Sequence, residues 1–272
     1  MDVKTLSQVG PWDWPADAGE TLLSALQSDE AEDSDRLLAV HLASSVVVMN
    51  DDLASALLGI MRDPAEAETI RGAAAIALGP TLEELEWDTF DELEGPPVSE
   101  GIARVIRDGL REVYLDAGVP KLVRRRALEA SVRGEADWHT AAVRAAYQSG
   151  DDEWRLTAVF CMSYVAGFEG EILEALEGGD PALRYEAVRA AGDWAVDEAW
   201  PHICALVLAA EEIEKPLLLA AIDAVAGIRP EEAAEILGDL AESEDDEIAE
   251  AVFEALAMAE GPRDDSEGLD LE

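Results

Sequence analysis

At 272 residues, with 49% apolar but only 6% aromatic side chains, the chain is too long for one ordinary compact core, yet no linker divides it. Its 61 acids against 19 bases leave a formal charge of −42, which disfavours nucleic acid and anionic membranes as partners at long range. Ala and Leu dominate the apolar fraction, so many small helix–helix interfaces are expected rather than a β-sandwich.

Residues 1–19 form an N-terminal extension with no basic region leading into an apolar one, and no later run approaches the roughly 18 apolar residues of a membrane span. The chain is expected to be cytoplasmic. From residue 20 to 260 a helical pattern repeats: an acidic or Pro-containing start, an apolar residue, often an Arg, and three residues later an Ala within an apolar stripe. The segments are SDRLLAVHLASS, TIRGAAAIALGP, LVRRRALEASVR, EWRLTAVFCMSY, ALRYEAVRAAGD, PLLLAAIDAVAG and EIAEAVFEALAM. They align Ala39, Ala74, Ala127, Ala158, Ala187, Ala220 and Ala251, at separations of 35, 53, 31, 29, 33 and 31 residues. One fixed period with a single insertion is the signature of a repeat array. The prediction is an all-α solenoid of about seven stacked helix pairs.

Each period holds a second amphipathic helix, as in DDLASALLGIMRD, DWHTAAVRAAYQ, EGEILEAL and PEEAAEILGDLA. Asp63-Pro64 and Asp180-Pro181 read as N-caps followed by Pro in the first helical position, and Gly79, Gly150, Gly179 and Gly227 as helix stops. The aligned arginines, Arg36, Arg71, Arg124, Arg155 and Arg184, are expected to bond a neighbouring acid or a helix carboxyl end. Trp154 and Trp194 fall on the predicted buried stripe.

The irregular spacing marks an acidic insert at about 80–99, TLEELEWDTFDELEGPPVS, with Trp87 and Phe90 among its acids. After it come Arg104, Arg107 and Arg111, on one stripe of a helix whose apolar stripe is Ile102, Val105, Ile106, Leu110 and Val113. Lys121, Arg124, Arg125, Arg126 and Arg133 follow, so the chain's main concentration of basic charge adjoins its most acidic loop. A local ion-pair network is one expectation; a partner-binding ridge screened by the insert is the other. Trp138-His139 and Trp200-Pro201-His202 begin second helices, where they either pack or serve as docking anchors. Residues 261–272, GPRDDSEGLDLE, lack any amphipathic period and are expected to be a disordered acidic tail.

These segments resemble the HEAT-like repeat family, in particular its short-period, phycobilin lyase-type form. The resemblance implies architecture more than activity. Di-iron HEAT-like hydroxylases use repeated His-Glu pairs, whereas His41, His139 and His202 are followed by Leu, Thr and Ile. DNA glycosylases of similar fold use aromatics and an acid on a basic face, but the second helices here carry Glu171, Glu174, Asp197, Glu198, Glu231, Glu232 and Glu235. No phosphate loop, dinucleotide fingerprint, H-E-x-x-H or G-x-S-x-G occurs. Cys161 and Cys204 lie in apolar contexts and read as reduced thiols.

The expected function is therefore a non-catalytic protein-interaction scaffold or adaptor without a cofactor or metal. Its partner is another protein, with a basic segment suited to the acidic faces. An enzyme or enzyme maturation factor on the same fold is the alternative. The 16 Arg against three Lys, with so many acids, also fit a salt-adapted host: at about 1 M salt the Debye length falls to about 3 Å and self-repulsion is screened.

Overall fold

The computed structural model describes residues 2–28, 32–86 and 96–260. Trp87, Phe90 and the rest of 87–95, like the tail 261–272, lie outside the described residues. Among those described, the regular structure is helical throughout: α1 (Val3–Leu6), α2 (Ala18–Leu26), α3 (Asp33–Leu42), α4 (Asp51–Arg62), α5 (Glu68–Ala77), α6 (Gly79–Glu86), α7 (Glu100–Leu115), α8 (Lys121–Ser131), α9 (His139–Tyr147), α10 (Asp152–Cys161), α11 (Glu169–Glu177), α12 (Pro181–Asp193), α13 (Trp200–Leu208), α14 (Lys215–Ile228), α15 (Ala233–Leu237) and α16 (Asp246–Glu260). The chain divides into two compact units, 1–142 and 143–272, with the division inside α9.

In unit 1 the motif helices α3, α5 and α8 stack side by side, and α2, α4 and α7 form a second layer. Each motif helix packs closely on the helix just before it, so the structural pair is second helix then motif helix. Unit 2 repeats the arrangement: α10, α12, α14 and α16 form the motif layer, with α11 and α13 against α12 and α14. Each unit is an α-solenoid stack, and the motif helices are those that the alanine alignment marks.

Small side chains permit this layering. Ala39, Ala74, Ala127, Ala158 and Ala187 have no solvent exposure, which lets the motif helices approach each other. In the last two repeats the predicted register is off by one residue. Ala221 and Val252 are buried, while Ala220 and Ala251 are half-buried.

The repeated Arg is structural. Arg71 donates through Nε to the Met61 carbonyl (3.0 Å) and Arg124 to that of Tyr114 (2.9 Å), each near the carboxyl end of the preceding helix. Arg184 reaches the Gly178 carbonyl (2.8 Å) just past α11. Arg36 pairs with Glu66, and Arg155 with Glu174 (2.8 Å). A guanidinium in these places satisfies carbonyls that a helix end leaves open and complements its negative pole.

Some local readings differ. Asp180 caps α12 as expected, accepting from Ala182 and Leu183. Asp63 instead closes a turn onto Ala65 (2.8 Å), and α5 begins only at Glu68. Gly227 is interior to α14 rather than a stop. Trp194 is 41% exposed because α12 ends at Asp193, so helical spacing no longer directs it inward; its indole donates to the Met162 carbonyl (2.6 Å). Trp154 is half-buried. At the N-terminus, Val3 and Leu6 enter the core of unit 1, so α1 is packed onto the first pair.

Candidate functional site

The basic ridge of unit 1 is largely engaged. Arg107 bonds Glu86 (3.1 Å) and Arg133 bonds Glu83, both on α6, the helix that opens the predicted insert. Arg104 pairs with Glu100 one turn back (3.2 Å), an exposed pair worth a few tenths of a kcal/mol. Arg62, on α4, pairs with Glu112 of α7 (3.0 Å). Arg124 caps α7 as described above, Arg125 is buried, and Arg126 pairs with Glu129. The described part of the insert thus makes a local ion-pair network with the basic residues around it.

Arg111 is used differently. Its guanidinium lies 5.9 Å from the Trp138 ring centre, and Trp138 stacks on Tyr114 at 5.3 Å. His139 meets the edge of Trp138 at 4.4 Å and is only 4% exposed. Its Nε2 has no hydrogen-bond partner among the described residues, and burial pushes its pKa down to about 4, so the ring is neutral at ordinary pH. Tyr114 was not singled out in the sequence. Its position at the end of the Arg104–Arg107–Arg111 helix is the signal that could have drawn attention to it.

In unit 2, Trp200 is 8% exposed and lies under Arg229, whose guanidinium is 5.1 Å from the ring. Arg229 donates to Asp197 (2.8 Å) and Glu232 (2.9 Å), and the bond to Asp197 holds that carboxyl below its usual range. Trp200 therefore packs and does not stand free as an anchor. His202, two residues on, is half-buried and lines a cavity with Leu176, Glu177, Arg184, Ala205 and Leu206. The cavity lies between the last turn of α11 and the middle of α13, two helices that touch each other little; a short 3₁₀ turn, Asp197–Ala199, contacts both. Nearby in sequence, Leu208 is 82% exposed, and nothing in the sequence sets it apart because it is the last residue of an otherwise apolar helix.

Neither cysteine is in a disulfide. Cys161 is buried, and burial beside Glu232 raises the thiol pKa of half-buried Cys204, which keeps it protonated and weakly nucleophilic. Among the described residues no group of three or more His, Cys, Asp or Glu is placed to hold a metal ion, and no helix is long and apolar enough to cross a membrane.

No family model matches the chain, and no curated protein does. Among solved structures, human deoxyhypusine hydroxylase in complex with glycerol is similar at 16% identity over 96% of this chain and 96% of that one, TM-score 0.42. A designed armadillo repeat protein is similar at 14% identity over 88% and 98%, TM-score 0.33, and an engineered protein at 17% over 90% and 97%, TM-score 0.35. The stacked pairs within each unit form an α-solenoid of helical repeats.

Proposed function

We propose that the chain is a non-catalytic scaffold of the short-period HEAT-like kind that binds a basic segment of another protein. The observation that carries this reading is the exposure of large apolar side chains on so acidic a surface. Trp12, Leu208 and Phe253 are 85%, 82% and 73% exposed on a chain of net charge −42. Apolar anchors supply affinity when a partner covers them, and the surrounding field selects and steers a cationic partner.

Affinity purification with the full chain, from an extract of the source cell at its own salt concentration, tests the proposal. The retained protein is identified, purified and rebound. A direct complex through a Lys- or Arg-rich segment is expected. Retention of nothing above a control, or of a partner whose binding survives loss of its basic segment, overturns it.

A further inference from the structure

The cavity between α11 and α13 is an open groove of about 380 Å³. Leu176 is buried at its base, Leu206 is half-buried, and Ala205 is exposed on the α13 side. Leu208 follows Ala205 by three residues, so the two share a face of α13 and continue the apolar surface outward. A leucine left 82% exposed just beyond the α13 residues that line the groove is an apolar side chain for a partner to cover.

The charges around this surface are of one kind at the rim and of the other inside. Glu177 stands at the cavity edge, and Glu211, Glu212 and Glu214 come directly after α13; all four are exposed and form no ion pair among the described residues. The carboxyl ends of α11 and α13 add their partial negative charge to these acids. Inside, Arg184 spends one Nη on the Gly178 carbonyl, and its Nε is buried with no acceptor. The positive charge of Arg184 turns an incoming cation away from the cavity and toward the rim.

We propose that the α11–α13 groove receives an amphipathic basic segment of the partner. An apolar side chain fills the cavity beside Leu208, and flanking Lys or Arg side chains lie against Glu177 and the Glu211–Glu214 run. The proposal rests on the scaffold reading above and adds the place and the pattern of the segment.

The probe is a synthetic helix with Leu at i, i+3, i+4 and i+7 and Lys elsewhere, compared with poly-lysine of equal charge, because so acidic a chain attracts any polycation. Binding of both to the full chain is measured by fluorescence anisotropy, with Ala205→Trp to fill the groove and Leu208→Ser to remove the anchor. Thermal melts confirm that both variants fold, as their exposed positions imply. Each substitution is expected to weaken the Leu/Lys helix about tenfold, equivalent to 1.4 kcal/mol, and to leave poly-lysine binding unchanged. Loss of neither ligand, or equal loss of both, overturns the groove. If the purified natural partner binds both variants as tightly as the parent chain, the groove is rejected while the scaffold reading stands. If the parent chain itself retains no partner, the scaffold reading fails.

Discussion

The α5–α8 contact in unit 1 and the α12–α14 contact in unit 2 join consecutive motif helices, yet different atoms meet across them. A Cβ added at Gly72 of α5 would lie 3.3 Å from Cγ of Arg126 and 3.6 Å from Cγ of Leu122, so side chains set that spacing. In unit 2 a Cβ at Gly227 would lie 2.6 Å from the Gly192 carbonyl oxygen, and one at Gly192 would lie 2.9 Å from the Ala224 Cα. There the two backbones touch. One repeat motif thus supports a contact spaced by the Arg126 and Leu122 side chains and another in which glycine is required for approach.

The test that breaks this comparison most sharply is Gly227→Val against Gly72→Ala. Valine at 227 must push the α14 backbone off α12 and is expected to cost about 3 kcal/mol, the upper end of the usual overpacking range. At Gly72 the flexible Arg126 can shift a few tenths of an ångström, and the gain in helix propensity, about 0.5–1 kcal/mol, offsets the crowding. Gly72→Ala should therefore change stability by less than about 0.5 kcal/mol. Urea melts that give equal losses would remove the distinction.

The two Trp-led edges differ as well, since His139 is sealed in unit 1 whereas His202 lines a cavity in unit 2. Burial depresses the folded pKa of His139 from 6.5 to about 4, so folding favours the neutral ring. Its contribution is fully present above pH 6.5, is lost as pH falls from 6.5 toward 4, and stays constant below that. The ceiling is about 3 kcal/mol, and relaxation around a protonated ring should bring the measured loss to about 2. In His139→Leu the decline between pH 6.5 and 4 should be smaller by that amount. An unchanged pH profile would show that the ring is solvated in solution.

Within α12, Ala187→Leu should overpack the helix interface by about 1–3 kcal/mol, while Glu235→Gln on the exposed side of α15 should be nearly silent. Equal effects in thermal melts would contradict the burial pattern.

Much of this architecture was legible because two residues acted together. In the five repeats carrying Arg three positions before Ala, the predicted alanine is fully buried. The Arg ties the register to a neighbouring helix end or acid, as at Met61, Tyr114 and Gly178. The two misplaced alanines, Ala220 and Ala251, have Leu217 and Ile248 in the Arg position, and each neighbours another small apolar residue that fits the slot equally well. Helical spacing also failed at Trp194, one residue past a helix end. The candidate groove was less legible than the fold. Its residues come from three helices, and Leu208 differs from a core leucine only in what fails to cover it.

A small gain in stability is expected in the turn after α12. The motif helices of unit 1 end on right-handed residues, Ala43, Leu78 and Val132. After α12, Ala195 takes φ 48°, the left-handed conformation in which a side chain is strained. Its N–H donates to the Gly192 carbonyl (3.1 Å) and that of Val196 to Ala191 (2.9 Å), the paired bonds that close a helix through a left-handed residue. Trp194 holds the same turn through its indole bond to Met162, which is why the strain persists without glycine. Ala195→Gly removes a strain of about 1 kcal/mol and gives part of it back through the greater freedom of glycine in the unfolded chain. The net expectation is a gain of about 0.5 kcal/mol, with Ala195→Val losing 1 kcal/mol or more because a β-branched residue fits this region worst. The order Gly above Ala above Val in urea midpoints is the readout. A glycine variant less stable than the parent would mean that the left-handed turn is not what ends α12 in solution.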